Sequence, residues 1–106
     1  VTGVQTCALP IWIDDIERNG STAAWGKGTL APYFPGLDIS YRSQWYSLHG
    51  DTPLLFGFGV HGQFLFVDRK SGIVIAKFAS QALPLDTEKI VLTVKAATQI
   101  VRHLAA

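Results

Sequence analysis

The chain has 106 residues, of which 48% are hydrophobic and 16% charged, and its formal net charge is +1. This length allows one small domain, and the absence of a basic run gives no reason to expect nucleic acid or a membrane surface as a partner. The single cysteine excludes an internal disulfide. The sequence has no cysteine–histidine cluster with metal-ligand spacing, and we expect neither a metal nor another cofactor. It has no apolar stretch of about 20 residues, so we expect no membrane span.

This composition is apolar for so short a chain, because a small domain leaves a large share of its surface in water. It admits two interpretations: a compact, well-packed domain, or a part of a larger protein whose apolar faces meet segments outside this sequence. We favour the second, which predicts apolar surface that nothing in the chain covers.

Residues 1–11, VTGVQTCALPI, follow no helix or strand pattern and resemble the in-frame translation of a short-read sequencing adapter. A segment of that origin does not enter the reasoning about the fold. On this interpretation Cys7 is not a feature of the natural protein, and residues 12–106 form the domain. The alternative is an N-terminal loop or an extended arm.

The first regular elements are expected from Trp12 onward. The pattern WIDDIER at residues 12–18 places its apolar residues on one helical stripe. Asn19-Gly20 ends this helix, because glycine accepts the left-handed conformation that follows a helix. Ser21 is the expected N-cap of a second, short turn. Residues 26–38 contain three glycines and two prolines, which predict a surface connection.

An alternating segment and three apolar runs predict an antiparallel sheet. Residues 39–48 alternate with period two, as one half-buried strand does. The apolar runs cover residues 54–60, 62–68 and 72–80, and the last two are apolar at consecutive positions, a pattern typical of a sheet covered on both faces. The segment from Asp68 to Gly72 is the expected hairpin turn between them.

A C-terminal helix follows Pro84, and Asp86 can cap it. Its apolar stripe consists of Ile90, Val94, Ala97, Val101 and Leu104. We therefore predict an α+β fold, with an antiparallel sheet of about three strands and this C-terminal helix packed on one face. One helix covers one face only, so we expect the other face to need a cover that this chain does not contain.

The glycine-rich segment from Gly57 to Gln63, GFGVHGQ, is the most informative part of the sequence. Glycines so closely spaced weaken an ordinary strand and mark a bulge or a close approach of the backbone to a ligand. One interpretation is a sheet-edge strand that offers a backbone N–H to a developing oxyanion, where a side chain would block the substrate. The other is a bulged hairpin corner between two core strands, and the residues alone leave both open.

The runs YRSQWY, LFGFGVHGQFLFVD and GIVIAKFAS together resemble the C-terminal strands of penicillin-recognising serine hydrolases. The likeness is greatest to 6-aminohexanoate-oligomer hydrolases and related esterases, in which Gly-[apolar]-His-Gly-Gln opens the strand after the active-site strand. It extends over residues 12–106 and implies that this chain is part of a larger β-lactamase-like fold.

Catalysis in that family needs a Ser-x-x-Lys nucleophile pair, a tyrosine in a second motif and two backbone N–H groups that hold the acyl oxyanion. The resemblance implies that the Val60 N–H is one oxyanion donor and that Gly57, Gly59 and His61 contact the substrate. Gly57-Phe58-Gly59 stands where β-lactamases carry Lys/His-Thr-Gly. The basic residue and the threonine are absent, which argues against a β-lactamase and fits the relatives that hydrolyse amides and esters.

Two aromatic side chains and His61 each have more than one possible role. Trp45 and Tyr46 are candidates for lining the acyl pocket, but as neighbours on a strand only one can face it, and both suit the core. His61 has no serine or cysteine placed with it, so a substrate-contacting or structural hydrogen-bonding role is preferred to that of a general base.

No serine in the chain has a lysine three residues later, and no Tyr-x-Asn occurs. The resemblance therefore implies that the nucleophile, lysine and tyrosine lie upstream of Trp12, in the N-terminal part of the same polypeptide. We predict the C-terminal fragment of a serine hydrolase that cleaves a small-molecule amide or ester through an acyl-enzyme, inactive alone. The alternative is a small non-catalytic α/β binding or dimerisation module, which would fold cooperatively and stay monodisperse, whereas a fragment would expose sheet edges.

Overall fold

The computed structural model describes residues 2–105, with the side chains of residues 10–105, as an α+β fold. Its helices are α1 (Thr2–Asn19), α2 (Thr22–Gly26) and α3 (Thr87–Ala105). Its strands are β1 (Ile39–Arg42), β2 (Trp45–Leu48), β3 (Leu54–Phe58), β4 (Phe64–Asp68) and β5 (Ile73–Lys77). The predicted fold class, an antiparallel sheet with a C-terminal helix, is confirmed.

The first helix extends beyond the predicted segment. It begins at Thr2 and ends at Asn19, so residues 2–11 have helical backbone where no element was predicted. The side chains of residues 1–9, Cys7 among them, lie outside the described part of the chain. The adapter origin of residues 1–11 stays a prediction.

The sheet has five strands in the order β1-β2-β3-β4-β5, every neighbouring pair antiparallel, so the prediction of about three strands is wrong. One cause is the segment 39–48, which forms two strands. Ser43 and Gln44 turn the chain there with φ angles of 54° and 69°, the left-handed pair typical of a two-residue hairpin. Neither residue is the glycine or asparagine that usually marks such a turn, so the period-two pattern ran through it unbroken.

The hairpin also changes which side chains share a face of the sheet. Tyr41 pairs with Tyr46, and Arg42 pairs with Trp45. In one uninterrupted strand Tyr41 and Trp45 would have pointed the same way, because alternate residues share a face. In the folded chain they point to opposite faces.

Aromatic side chains fill the space between the sheet and α3. Phe56, on the central strand, is 0% exposed, and its ring centroid lies 5.1 Å from that of Tyr46 and 5.6 Å from that of Phe66. The buried stripe of α3 consists of Ile90, Val94, Ala97 and Val101. Leu104 is 63% exposed, so the predicted stripe ends one turn early. Asp86 accepts a hydrogen bond from the Lys89 N–H at 3.3 Å, which confirms the predicted cap.

Phe34 belongs to the same core, although residues 26–38 were predicted to be a surface connection. It follows a 3-10 turn at Ala31–Tyr33 and is 2% exposed. Its ring packs edge-on against Trp25 of α2, with centroids 5.6 Å apart. The glycines and prolines around it indicated a loop correctly, but they could not show that the loop carries a core anchor.

The second face of the sheet is covered in part by α1, although the sequence predicted no cover for that face. Ile16 and Leu55 are buried there, apart from the aromatic core. A Cβ on Gly20, just after α1, would lie 2.8 Å from Ser40 Oγ, so helix and β1 are in close contact. Towards β5 the face stays open, and Val74 is exposed. The predicted lack of a cover therefore holds only for that half of the sheet.

Ion pairs attach α1 to the sheet. Arg69, after β4, donates to Asp14 at 2.9 Å and also to Glu17, and Arg42 on β1 donates to Asp15 at 2.5 Å. The hydrogen bond from Arg69 lowers the pKa of Asp14 below its ordinary value of 3.8. A carboxyl with a lowered pKa in the folded state stabilises the fold above its unfolded-state pKa and ceases to do so as the pH falls through the folded-state pKa.

We expect the substitution Arg69→Gln to lower the urea midpoint near neutral pH, because Asp14 and Glu17 lose their partner. The difference from the unsubstituted chain should shrink as the pH falls from about 5 to about 3 and as salt is added, because exposed ion pairs are screened. Urea titrations of both proteins at several pH values in that range measure the difference between their midpoints. Lys70→Gln removes the neighbouring positive charge, and an equal pH-dependent difference for that variant would contradict the expectation.

Candidate functional site

The glycine-rich segment forms the turn between β3 and β4, here called the β3–β4 corner (residues 59–63). The Gly59 N–H donates to the Gln63 carbonyl at 2.9 Å, and Val60–Gly62 make a 3-10 turn between them. β3 is the central strand of the sheet, so of the two interpretations that the sequence left open, the sheet-edge strand is wrong. The alternative, a corner between two core strands, describes the backbone correctly.

The corner is held against the segment that links β5 to α3, here called the strap (residues 79–84). The His61 N–H donates to the Pro84 carbonyl at 2.9 Å, and the His61 carbonyl accepts from the Gln81 N–H at 3.1 Å. The His61 ring bonds through Nδ1 to the Gln81 carbonyl at 2.8 Å, and the Gln63 side chain donates to the Ala79 carbonyl. Because several bonds converge on a few residues, we expect this corner to be rigid.

His61 and Gly62 both adopt left-handed backbone, with φ of 60° and 87°. For a residue with a side chain this conformation costs about 1–2 kcal/mol, so the bonds to the strap must offset it. At Gly62 a Cβ would lie 2.6 Å from the Gln81 side chain. The third glycine of the motif therefore serves the contact between corner and strap.

Val60 lies on the exposed side of the corner and is itself 53% exposed. The N–H groups on either side of it, those of Gly59 and His61, both donate within the protein. Within the described part of the chain, no turn or loop hydrogen bond uses the Val60 N–H. The Val60 N–H is therefore a free backbone donor between two N–H groups that donate within the protein.

Gly57 and Gly59 line a cavity of about 300 Å³ on the open half of the sheet's second face, together with Leu65, Ala76 and Phe78. A Cβ on Gly57 would come no closer than 4.0 Å to its neighbours, so packing does not require glycine at this position. A Cβ on Gly59 would lie 3.1 Å from that of Gln63, so a side chain there would require Gln63 to shift by a few tenths of an ångström. Phe78, 87% exposed, forms the outer wall.

Trp45 and Tyr46 are not part of this cavity. Tyr46 is buried in the aromatic core on the opposite face and lines a separate cavity of about 330 Å³ with Trp25 and Tyr41. Burial, and then the nearby Tyr41, raise the pKa of the Tyr46 hydroxyl. Trp45 is half-buried and lines neither cavity. The fold thus places Gly57 and Gly59 in one cavity, with Val60 and His61 directly after them in the chain, and neither Trp45 nor Tyr46 lines that cavity.

Ser40 and His49 form a hydrogen-bonded pair that no local sequence pattern indicates, with 2.8 Å between Ser40 Oγ and His49 Nε2. Ser40 is 0% exposed, so its hydroxyl cannot reach a substrate and the pair is structural. It joins β1 to the end of β2. The register of the 43–44 hairpin would have revealed it, because Ser40 opposes Ser47 and His49 lies two residues beyond.

The described residues contain no group of three histidine, cysteine, aspartate or glutamate side chains that could hold a metal ion. Within the same part of the chain, no helix is long and apolar enough to cross a membrane.

No protein-family model matches the chain, and no solved structure matches it. A 6-aminohexanoate-dimer hydrolase from Paenarthrobacter ureafaciens is 30% identical to it over 69 residues. That match covers 65% of this chain and 17% of the hydrolase, so the chain corresponds to a small part of that protein's length. The chain is therefore distantly related to a hydrolase.

Proposed function

We propose that this chain is the C-terminal part of a serine hydrolase that cleaves amide or ester bonds through an acyl-enzyme, as one part of a larger β-lactamase-like fold. The Val60 N–H is one of the two donors that hold the acyl oxyanion. The serine, lysine and tyrosine belong to another part of the same polypeptide, since the 106 residues contain neither Ser-x-x-Lys nor Tyr-x-Asn.

The observation that carries this proposal is the Val60 N–H, which no turn or loop hydrogen bond uses and which lies between the bonded N–H groups of Gly59 and His61. An oxyanion donor must be preorganised, because a donor that reorganises during the reaction loses most of its benefit. The strap fixes the residue after Val60, and Gly59 is fixed by Gln63. The cavity lined by Gly57 and Gly59, the residue before Val60, leaves room for an acyl group.

The relation to a 6-aminohexanoate-dimer hydrolase supports the same reaction class, since the substrate in that protein's name is joined by an amide bond. The open half of the second face supports the larger fold. Exposed apolar side chains on a sheet face, here Val74 and Phe78, are typical of a surface that another segment covers.

Sequencing the source DNA upstream of the Trp12 codon tests the proposal directly. We expect an open reading frame with Ser-x-x-Lys followed by a tyrosine motif, continuous with residues 12–106 and without the codons for residues 1–11. A start codon immediately before Trp12 would contradict the proposal, and so would an upstream frame without these motifs.

A non-catalytic binding or dimerisation module is the second candidate, and α1 favours it. By burying Ile16 and Leu55 this helix covers part of the face that a fragment would leave bare. A module would be monodisperse with one sharp thermal transition, whereas a fragment with an open β5 edge would associate. Light scattering and calorimetry of the purified chain distinguish the two.

A further inference from the structure

The ring of His61 has a tautomer that its surroundings determine. Nδ1 lies 2.8 Å from the Gln81 carbonyl oxygen, which can only accept a hydrogen bond. Nδ1 must therefore carry the proton, and in the neutral ring Nε2 then carries the lone pair. An unconstrained histidine exchanges its proton between the two nitrogens, so the strap selects one form.

The backbone that holds this ring in place has an unfavourable conformation. His61 is one of the residues with positive φ that are not glycine, and its N–H and C=O both bond to the strap. Strained residues that are fixed by several independent contacts are concentrated at functional sites. The ring is half-buried, and within the described part of the chain Nε2 has no hydrogen-bond partner.

Resting on the proposed function, we infer that His61 is a specificity-determining residue whose Nε2 accepts a hydrogen bond from the substrate. Val60 and His61 are consecutive, so the corner offers one donor, the Val60 N–H, followed by one acceptor, His61 Nε2. A secondary amide carries the complementary pair, a carbonyl oxygen and an N–H. An ester or a tertiary amide has the carbonyl oxygen but no donor for Nε2, and it leaves that nitrogen unpaired.

The tautomer can be measured without any assumption about activity. Ring ¹⁵N shifts of the full 106-residue chain, recorded at about pH 8, above the ordinary histidine pKa of about 6.5, should show Nδ1 protonated in His61. His103, exposed in the last turn of α3, is the internal control and should show the averaged shifts of a free ring. An Nε2-protonated or averaged His61 ring would overturn the inference and leave the proposed function standing.

Binding is tested with three small probes, N-methylacetamide, N,N-dimethylacetamide and methyl acetate, while the Val60 amide and His61 ring signals are followed. We expect N-methylacetamide to shift both signals at concentrations about fivefold lower than the other two, the effect of one additional hydrogen bond. His61→Asn, which tolerates left-handed backbone, should abolish that difference while the remaining amide signals stay in place.

The outcomes separate the inference from the function on which it rests. Equal shifts from all three probes would overturn the role of Nε2 and leave Val60 as a donor. No shift of the Val60 signal with any probe would overturn both. A preference for N-methylacetamide that persists in His61→Asn would assign the selectivity to another residue and overturn the inference.

Discussion

Phe56→Ala is expected to destabilise the chain by about 3–5 kcal/mol, the range for deleting a phenylalanine from a packed core. Phe56 is 0% exposed on the central strand, and its ring packs against Tyr46, Phe34 and Phe66 from three neighbouring segments. No side chain nearby can fill the space without leaving its own contacts. Since small domains are stable by only about 5–15 kcal/mol, the variant should be close to unfolding at room temperature.

Urea titration followed by tryptophan fluorescence measures the loss. Val74→Ala is the matched control, because Val74 lies on β5 and is exposed, so its truncation should change stability by no more than about 0.5 kcal/mol. Equal losses for the two variants would show that the aromatic cluster is not the cooperative core. That result would also favour a fragment that lacks a fixed core of its own.

Much of this core could be predicted from the sequence, because periodicity reports burial directly. The α3 stripe at Ile90, Val94, Ala97 and Val101 follows the helical repeat and is buried. The consecutive apolar runs at 62–68 and 72–80 became β4 and β5. Periodicity failed where the chain reverses through residues without a turn signature, as at Ser43 and Gln44, and it therefore placed Tyr41 and Trp45 on the same face, whereas they point to opposite faces.

The candidate site was predictable only in part, for a different physical reason. Glycine spacing located the β3–β4 corner, because glycines in a strand segment indicate an unusual backbone. It could not show the strap, whose contacts with His61 and Gln63 connect residues about 16 to 23 positions apart and follow no local pattern. Nor could it show that Tyr46 and Gly57 point to opposite faces of the sheet, because that depends on the pairing of β2 with β3.

The other large effect is expected on the activity of a hydrolase that contains this segment together with Ser-x-x-Lys, and it concerns the free N–H of Val60. Val60→Pro removes that N–H, since proline has none, and should lower kcat by about 10²–10³-fold, the cost of losing one oxyanion donor. Val60→Ala also removes both γ-methyl groups of valine but keeps the N–H, and it should retain most of the activity. Steady-state kinetics of the two variants isolate the contribution of the donor.

Proline should fit this position without unfolding the corner. Gly59 has extended backbone, with φ of −117° and ψ of 171°, as the residue before a proline requires. Val60 is the first residue of the 3-10 turn, where proline is well tolerated because its N–H has no partner in the turn. The thermal midpoints of the two variants should therefore agree within a few degrees. Equal kcat values for Val60→Pro and Val60→Ala would remove Val60 from the oxyanion site, whereas unfolding of Val60→Pro alone would show that the corner does not accept proline at this position.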